Sequence, residues 1–193
     1  MNIINRLFRK ILSLKKRIAM QLIRLRHRLY GQIQIEPRAI VEPKADLIID
    51  YKNEDLKYVI EIGDKAHIKD YCRLCPRSGF IKIGKNSSIN PFCVLLGYGG
   101  ITIGECVRIA AHTSIIAFNH NFDNPSTEIH RQGYNAQGII IEDDVWIGTG
   151  VRILDGVKIG KGSVVGAGSV VTKSIPENCI AVGVPAKVIK NRV

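Results

Sequence analysis

Residues 141–176, IEDDVWIGTGVRILDGVKIGKGSVVGAGSVVTKSIP, repeat one short pattern six times. A branched apolar residue returns every six positions, at Ile141, Ile147, Ile153, Ile159, Val165 and Val171. Four places after each stands a small or branched residue: Val145, Val151, Val157, Ser163, Ser169 and Ile175. Glycine follows the aliphatic at Gly148, Gly160 and Gly166. Period six matches neither the 3.6 of a helix nor the alternation of a half-buried strand. It does match short strands joined by tight bends and stacked coil upon coil, an all-β solenoid.

The same beat extends towards the N-terminus through Ile62, Ile68 and Leu74, then Ile83, Ile89 and Leu95, then Ile103, Ile109 and Ile115. Three beats cover one turn of a three-sided prism. The steps between sets are nine residues from Leu74 to Ile83, eight from Leu95 to Ile103, and 26 from Ile115 to Ile141. Every excess over six follows the third strand of a set, so the insertions leave from a single corner. An elaborated corner on a regular scaffold is where function is sought. The solenoid is expected over 62–176, with a protruding loop at 121–140. Residues 32–61 hold Pro37, Pro43 and short apolar runs around Ile33 and Leu47. They read as a lead-in that caps the open end of the stack, where a bare strand edge would invite pairing.

A chain of 193 residues with 46% hydrophobic and only 6% aromatic content suits one domain with an aliphatic core. The net charge of +11 is unevenly placed. Residues 1–31 carry nine Lys and Arg and no acid, leaving 19 basic and 17 acidic side chains elsewhere. A nucleic-acid partner is therefore not expected of the main domain. No apolar run approaches the roughly 18 residues of a membrane span. The odd count of five cysteines and the lack of a signal-type apolar segment lead us to expect a cytoplasmic protein.

Ile4, Leu7, Ile11, Leu14, Ile18, Leu22, Leu25 and Leu29 recur at helical spacing between the basic residues, and Gly31 is a natural stop. Residues 1–31 are thus expected to form a basic amphipathic α-helix. Three partners are open to its apolar stripe: an anionic membrane surface, giving peripheral contact, a sister subunit, or the helix's own domain.

His120 closes the third strand of its coil at the elaborated corner, beside the longest insertion. A histidine there can act as general base near neutral pH, although alone it would more often be a surface residue. Its company is more specific. FNHNFD at 118–123, some twenty loop residues, IEDDVWIG at 141–148, VTK at 171–173 and GVPAKVIK at 183–190 together resemble the hexapeptide-repeat acyltransferases. The likeness is to their sugar O-acetyltransferase branch, beside galactoside, maltose and xenobiotic acetyltransferases. It covers residues 62–190.

The resemblance implies a left-handed parallel β-helix, whereas strand-crossover physics alone favours the opposite hand. It implies a homotrimer with active sites between neighbouring prisms, acetyl-CoA as donor, a sugar or polysaccharide as acceptor, and no metal. His120 matches the catalytic base. Asn90 matches a residue that organises the acceptor, and Asn119, Tyr98, His112 and His130 are further acceptor-side candidates. Trp146 matches the edge of the cleft, and Thr149 and Ala167 match contacts to the pantetheine arm. Thr172 and Lys173 match contacts further along the cofactor. Lys187 and Lys190, in the tail at 177–193, match basic positions that meet its phosphates, where arginine is common and would grip bidentately. Gly97, Tyr98, Gly99 and Gly100 stand where some relatives carry an acidic acceptor contact, which suggests a different or larger acceptor.

Plainer roles compete. Thr149 and Ala167 also fit as repeat residues, Trp146 as packing, and the two lysines as a solvated tail. Cys72 and Cys75 form a CxxC, yet Cys72 and Cys93 fall in the small inward slot, so these thiols are expected to fill the core. A xenobiotic or small-molecule acetyltransferase and a non-catalytic β-helix scaffold remain as alternative functions.

Overall fold

The computed structural model describes residues 32–49 and 59–192, together with Leu14, Ile18 and Asp55. The amphipathic helix expected over residues 1–31 lies outside the described residues, apart from Leu14 and Ile18, which are helical. From Ile33 onward the chain lays one short strand in each of three sheets and then repeats the circuit. The first sheet stacks Ile33–Ile35, Ile60–Ile62, Ile81–Ile83, Ile101–Ile103, Ile139–Ile141 and Lys158–Ile159. Every pairing within it is parallel.

The registers explain the six-residue beat. In the first sheet Ile35, Ile62, Ile83, Ile103, Ile141 and Ile159 lie one over another. Val41, Ile68, Ile89, Ile109, Ile147 and Val165 form the column of the second. Leu47, Leu74, Leu95, Ile115, Ile153 and Val171 form that of the third. Except for Ile35, which is half-buried, these residues are buried and share one continuous core. Filling a narrow triangular interior favours branched aliphatics, which pack at crystal-like density without polar atoms.

The second inward slot takes small residues, and where these are polar they bridge coils. Ser87 Oγ donates to the Gly104 carbonyl at 2.7 Å and Thr113 Oγ1 to that of Gly148 at 3.2 Å. Cys72 and Cys93 follow the same plan, reaching the carbonyls of Asn90 and Ala110 at 3.0 and 3.2 Å. Donating a hydrogen bond to Cys72, together with burial, pushes the Cys93 thiol far up. Both are core residues, as the spacing predicts, and Cys75 is buried beside them.

The boundary expected at residue 62 needs correction. Residues 33–47 are a complete first coil, with Ile35, Val41 and Leu47 in register beneath Ile62, Ile68 and Leu74. Pro37 and Pro43 open its first two bends, where their fixed φ suits a turn. The step from Leu47 to Ile62 is another long one, and it leaves from the same corner as the others. At the far end, Cys179–Val182 continues the second sheet and Lys187–Asn191 folds back antiparallel upon it. Lys187 and Lys190 therefore sit on an exposed edge strand, a placement that discourages further pairing.

Outward charges on the first sheet pair between coils: Lys82 with Glu61 at 3.0 Å and Lys158 with Glu142 at 2.6 Å. The hydrogen bond from Lys158 holds the Glu142 carboxyl below its usual range. Such surface pairs add little to stability; burial decides it. In the strand Ile139–Ile141 the pleat alone separates Ile141, fully buried, from Ile140, 47% exposed. Ile141→Ala should cost about 2–5 kcal/mol in denaturant unfolding. Ile140→Ala should stay within about 0.5 kcal/mol. Equal costs would contradict the register.

Candidate active site

At the corner after the third sheet the chain leaves the prism at Ala117 and returns at Ile139. Asn119–His120 and Tyr134–Asn135 pair as an antiparallel hairpin, with His120 directly opposite Tyr134. Gln132 ties the loop internally. Its side-chain amide donates to the carbonyls of Asn124 and Thr127 at 2.9 and 2.7 Å, and its oxygen accepts from the Asn124 amide at 3.1 Å. The returning chain is clamped from the next coil, because the Gln137 and Gly138 amides donate to the Asp155 carboxylate at 2.9–3.0 Å.

Glycine is needed where this return crosses the preceding coil. A Cβ on Gly99 would lie 2.5 Å from the Gly138 nitrogen, and one on Gly100 2.6 Å from the Phe80 ring. The run Gly97–Gly100 is thus explained by close packing. It carries Tyr98 between two glycines, with its ring 4.2 Å from Phe118 and edge-on to Tyr134 at 5.2 Å. Phe118 in turn meets the His120 ring at 5.5 Å and 78°. His120 itself is exposed. Among the described residues no hydrogen bond or ion pair occupies its imidazole, so both nitrogens are open to an incoming group.

A second group of predicted residues gathers at a different corner, after the second sheet. Asn90 donates its side-chain amide to the Ile109 carbonyl at 2.9 Å. Thr149 Oγ1 donates to the Ala111 carbonyl at 2.8 Å, and the Gly168 amide donates to the Thr149 carbonyl at 2.8 Å. Ala167 is exposed beside Gly168, where an added Cβ would meet nothing within 4 Å. His112 caps a column of rings at this corner, stacked 5.0 Å from Phe92, which stacks 5.0 Å from Tyr71. Above His112 the equivalent positions are Gly150 and Gly168, so the column of rings ends and the surface there carries no side chain. Trp146, 57% exposed, stands on the outer side of the second sheet between Arg108 and Val164. Lys187 and Lys190 lie further along that sheet.

The predicted residues therefore separate within one chain. Asn90, His112, Thr149 and Ala167 share one corner, with Trp146 and the two lysines on the adjoining face. His120, Asn119 and Tyr98 share another, and Thr172 and Lys173 stand at that same corner two coils on. His130 is exposed in the short 3-10 turn Ile129–Arg131. His67 pairs with Glu42 at 3.1 Å on the second sheet. Phe118, Tyr134, Gln132 and Asp155 were not foreseen as parts of the site. The aromatic residues Phe118 and Tyr134 at the two ends of the loop are the available signal for the first two.

A family model for bacterial transferase hexapeptide (six repeats) matches residues 138–173. The hexapeptide-repeat containing acetyltransferase VCA0836 from Vibrio cholerae is 34% identical, over 68% of this chain and 73% of that one, with a TM-score of 0.62. The chain belongs to the hexapeptide-repeat acyltransferases. Its fold is accordingly the left-handed parallel β-helix of that family. AntD, an N-acyltransferase from Bacillus cereus in complex with dTDP and 3-hydroxybutyryl-CoA, is similar over 88% of each chain, with 28% identity and a TM-score of 0.72. The polysialic acid O-acetyltransferase of Escherichia coli O1:K1 is 43% identical over 114 residues, 58% of this chain and 36% of that protein. The chain spans between 44% and 61% of the length of the first four curated relatives it matches.

Proposed function

We propose that this hexapeptide-repeat protein is an acetyl-CoA-dependent O-acetyltransferase acting on a sugar hydroxyl, of a bacterial surface polysaccharide or its precursor. The observation that carries the proposal is His120, an exposed imidazole with open nitrogens at the one corner that the repeat elaborates. Its ring takes the proton of the acceptor hydroxyl as the oxygen attacks the thioester carbonyl. The tetrahedral intermediate then collapses, the carbon–sulfur bond breaks, and the imidazolium returns the proton to the coenzyme A thiolate. The acetyl group passes directly, without an acyl-enzyme.

The surface beside Thr149, Ala167 and Gly168 suits a pantetheine arm, having exposed backbone and no bulky side chain. Lys187 and Lys190 suit its phosphates as point charges. This wall and His120 occupy different corners of one prism. We therefore place each active site between two copies of a homotrimer, the base of one facing the groove of the next. AntD's complex with an acyl-CoA supports the donor class, and the polysialic acid enzyme supports a glycan hydroxyl as acceptor. An amino-sugar acceptor is the second reading, favoured by the likeness to AntD, one mutant of which is seen in complex with dTDP-4-amino-4,6-dideoxyglucose and coenzyme A.

We place the enzyme in the cytoplasm, with the basic segment 1–31 holding it to an anionic membrane face. Truncation at residue 31 should abolish co-sedimentation with phosphatidylglycerol vesicles and spare transfer to a soluble acceptor. Equal sedimentation of both forms would remove the membrane role. For the chemistry, free-thiol release from acetyl-CoA should be screened against hydroxyl and amino sugars. His120→Ala should lower the rate by two or more orders of magnitude, about what a positioned base contributes, while acetyl-CoA still raises the melting temperature. Wild-type rates in that variant would end the mechanism. No thermal shift with acetyl-CoA in the wild type would favour a scaffold.

A further inference from the structure

We infer that Tyr134 is the positioning residue for His120, resting on the assignment of His120 as the base. The imidazole projects from a two-residue strand outside the prism, so the solenoid's packing does not fix it. Two features tie that strand down. One is the hairpin register, which sets Tyr134 opposite His120 and continues as the Asn121 amide donating to the Gly133 carbonyl at 3.1 Å.

The other is aromatic. Tyr134 stands edge-on to both Tyr98 and Phe118, at 5.2 and 6.0 Å, and its hydroxyl lies 3.5 Å from Ser78 Oγ. Phe118 carries this contact to the His120 ring. Tyr98 and Ser78 belong to the two preceding coils, so Tyr134 fastens the far strand of the hairpin to the rigid prism. Arg77, over the Tyr98 ring at 5.8 Å, closes the outer side of the same cluster.

The ring supplies the contact and the hydroxyl only a long bond, which separates two substitutions. Tyr134→Ala should lower kcat about 10–100-fold, the scale of a misplaced reacting group. KM for acetyl-CoA should change less than about twofold, since Tyr134 is not among the residues proposed to hold the cofactor. Tyr134→Phe should recover kcat to within about threefold of wild type.

An independent readout needs no acceptor. In protein labelled with 13C-histidine, the Cε1–H signal of His120 is identified by its loss in His120→Gln among the five histidines. It should move to its random-coil position in Tyr134→Ala and stay in place in Tyr134→Phe. Wild-type kcat in Tyr134→Ala, or an unmoved His120 signal, would overturn the positioning role. Should His120→Ala prove fully active, the base assignment itself fails, whatever the spectrum shows.

Discussion

One aliphatic side chain resting on its counterpart in the coil below is the contact from which this molecule is built. Ile109 lies between Ile89 and Ile147, and equivalent columns run up all three faces. Because the chain must return to the same column after three strands, whatever their connections, any insertion has to be absorbed at a bend. From Ile33 to Val171 each face admits strands of only two or three residues, so a slip of one would turn the buried set outward. The corners are thus the only positions where length can vary without breaking the core.

That constraint divides the labour of the molecule. The corner after the second sheet keeps strict spacing, and its left-handed positions pass from Tyr71, Phe92 and His112 to Gly150 and Gly168. Regular spacing there keeps these positions in line from coil to coil. The corner after the third sheet takes the insertions and so carries groups that a strict repeat could not present, His120 first among them. A glycan acyltransferase needs both a long rigid wall for an extended cofactor and a base held over its reactive end. On the proposed function, a three-sided repeat supplies the two at different edges, and association of copies would bring them together.

The sequence made the solenoid legible because burial on all three faces imposes one period, and Ile and Val report it at nearly every beat. The corner bearing His120 was legible for the same reason, since an interrupted period marks its own break. The first coil escaped notice because Ile35, Val41 and Leu47 are followed by a 15-residue step to Ile62 that hides their phase. The cluster around His120 was not legible. Tyr98, Phe118 and Tyr134 are separated by 20 and 16 residues, and only the stacking of coils and the hairpin register make them neighbours. Likewise the packing behind the glycine run at 97–100 was not legible: Gly99 meets the returning loop, and Gly97 and Gly100 meet Phe80. The hand of the helix came from family resemblance, since local chain physics favours the other.

The central claim is that the base of one copy serves the cofactor groove of another. Co-expression of His120→Ala with Ala167→Trp, whose bulk would fill the groove, tests it most directly. Each variant alone should be nearly inactive in thiol release. In randomly mixed trimers one interface in four would pair an intact base with an intact groove, so activity should recover to about a quarter of wild type. Activity no higher than that of the separate variants would contradict the shared site.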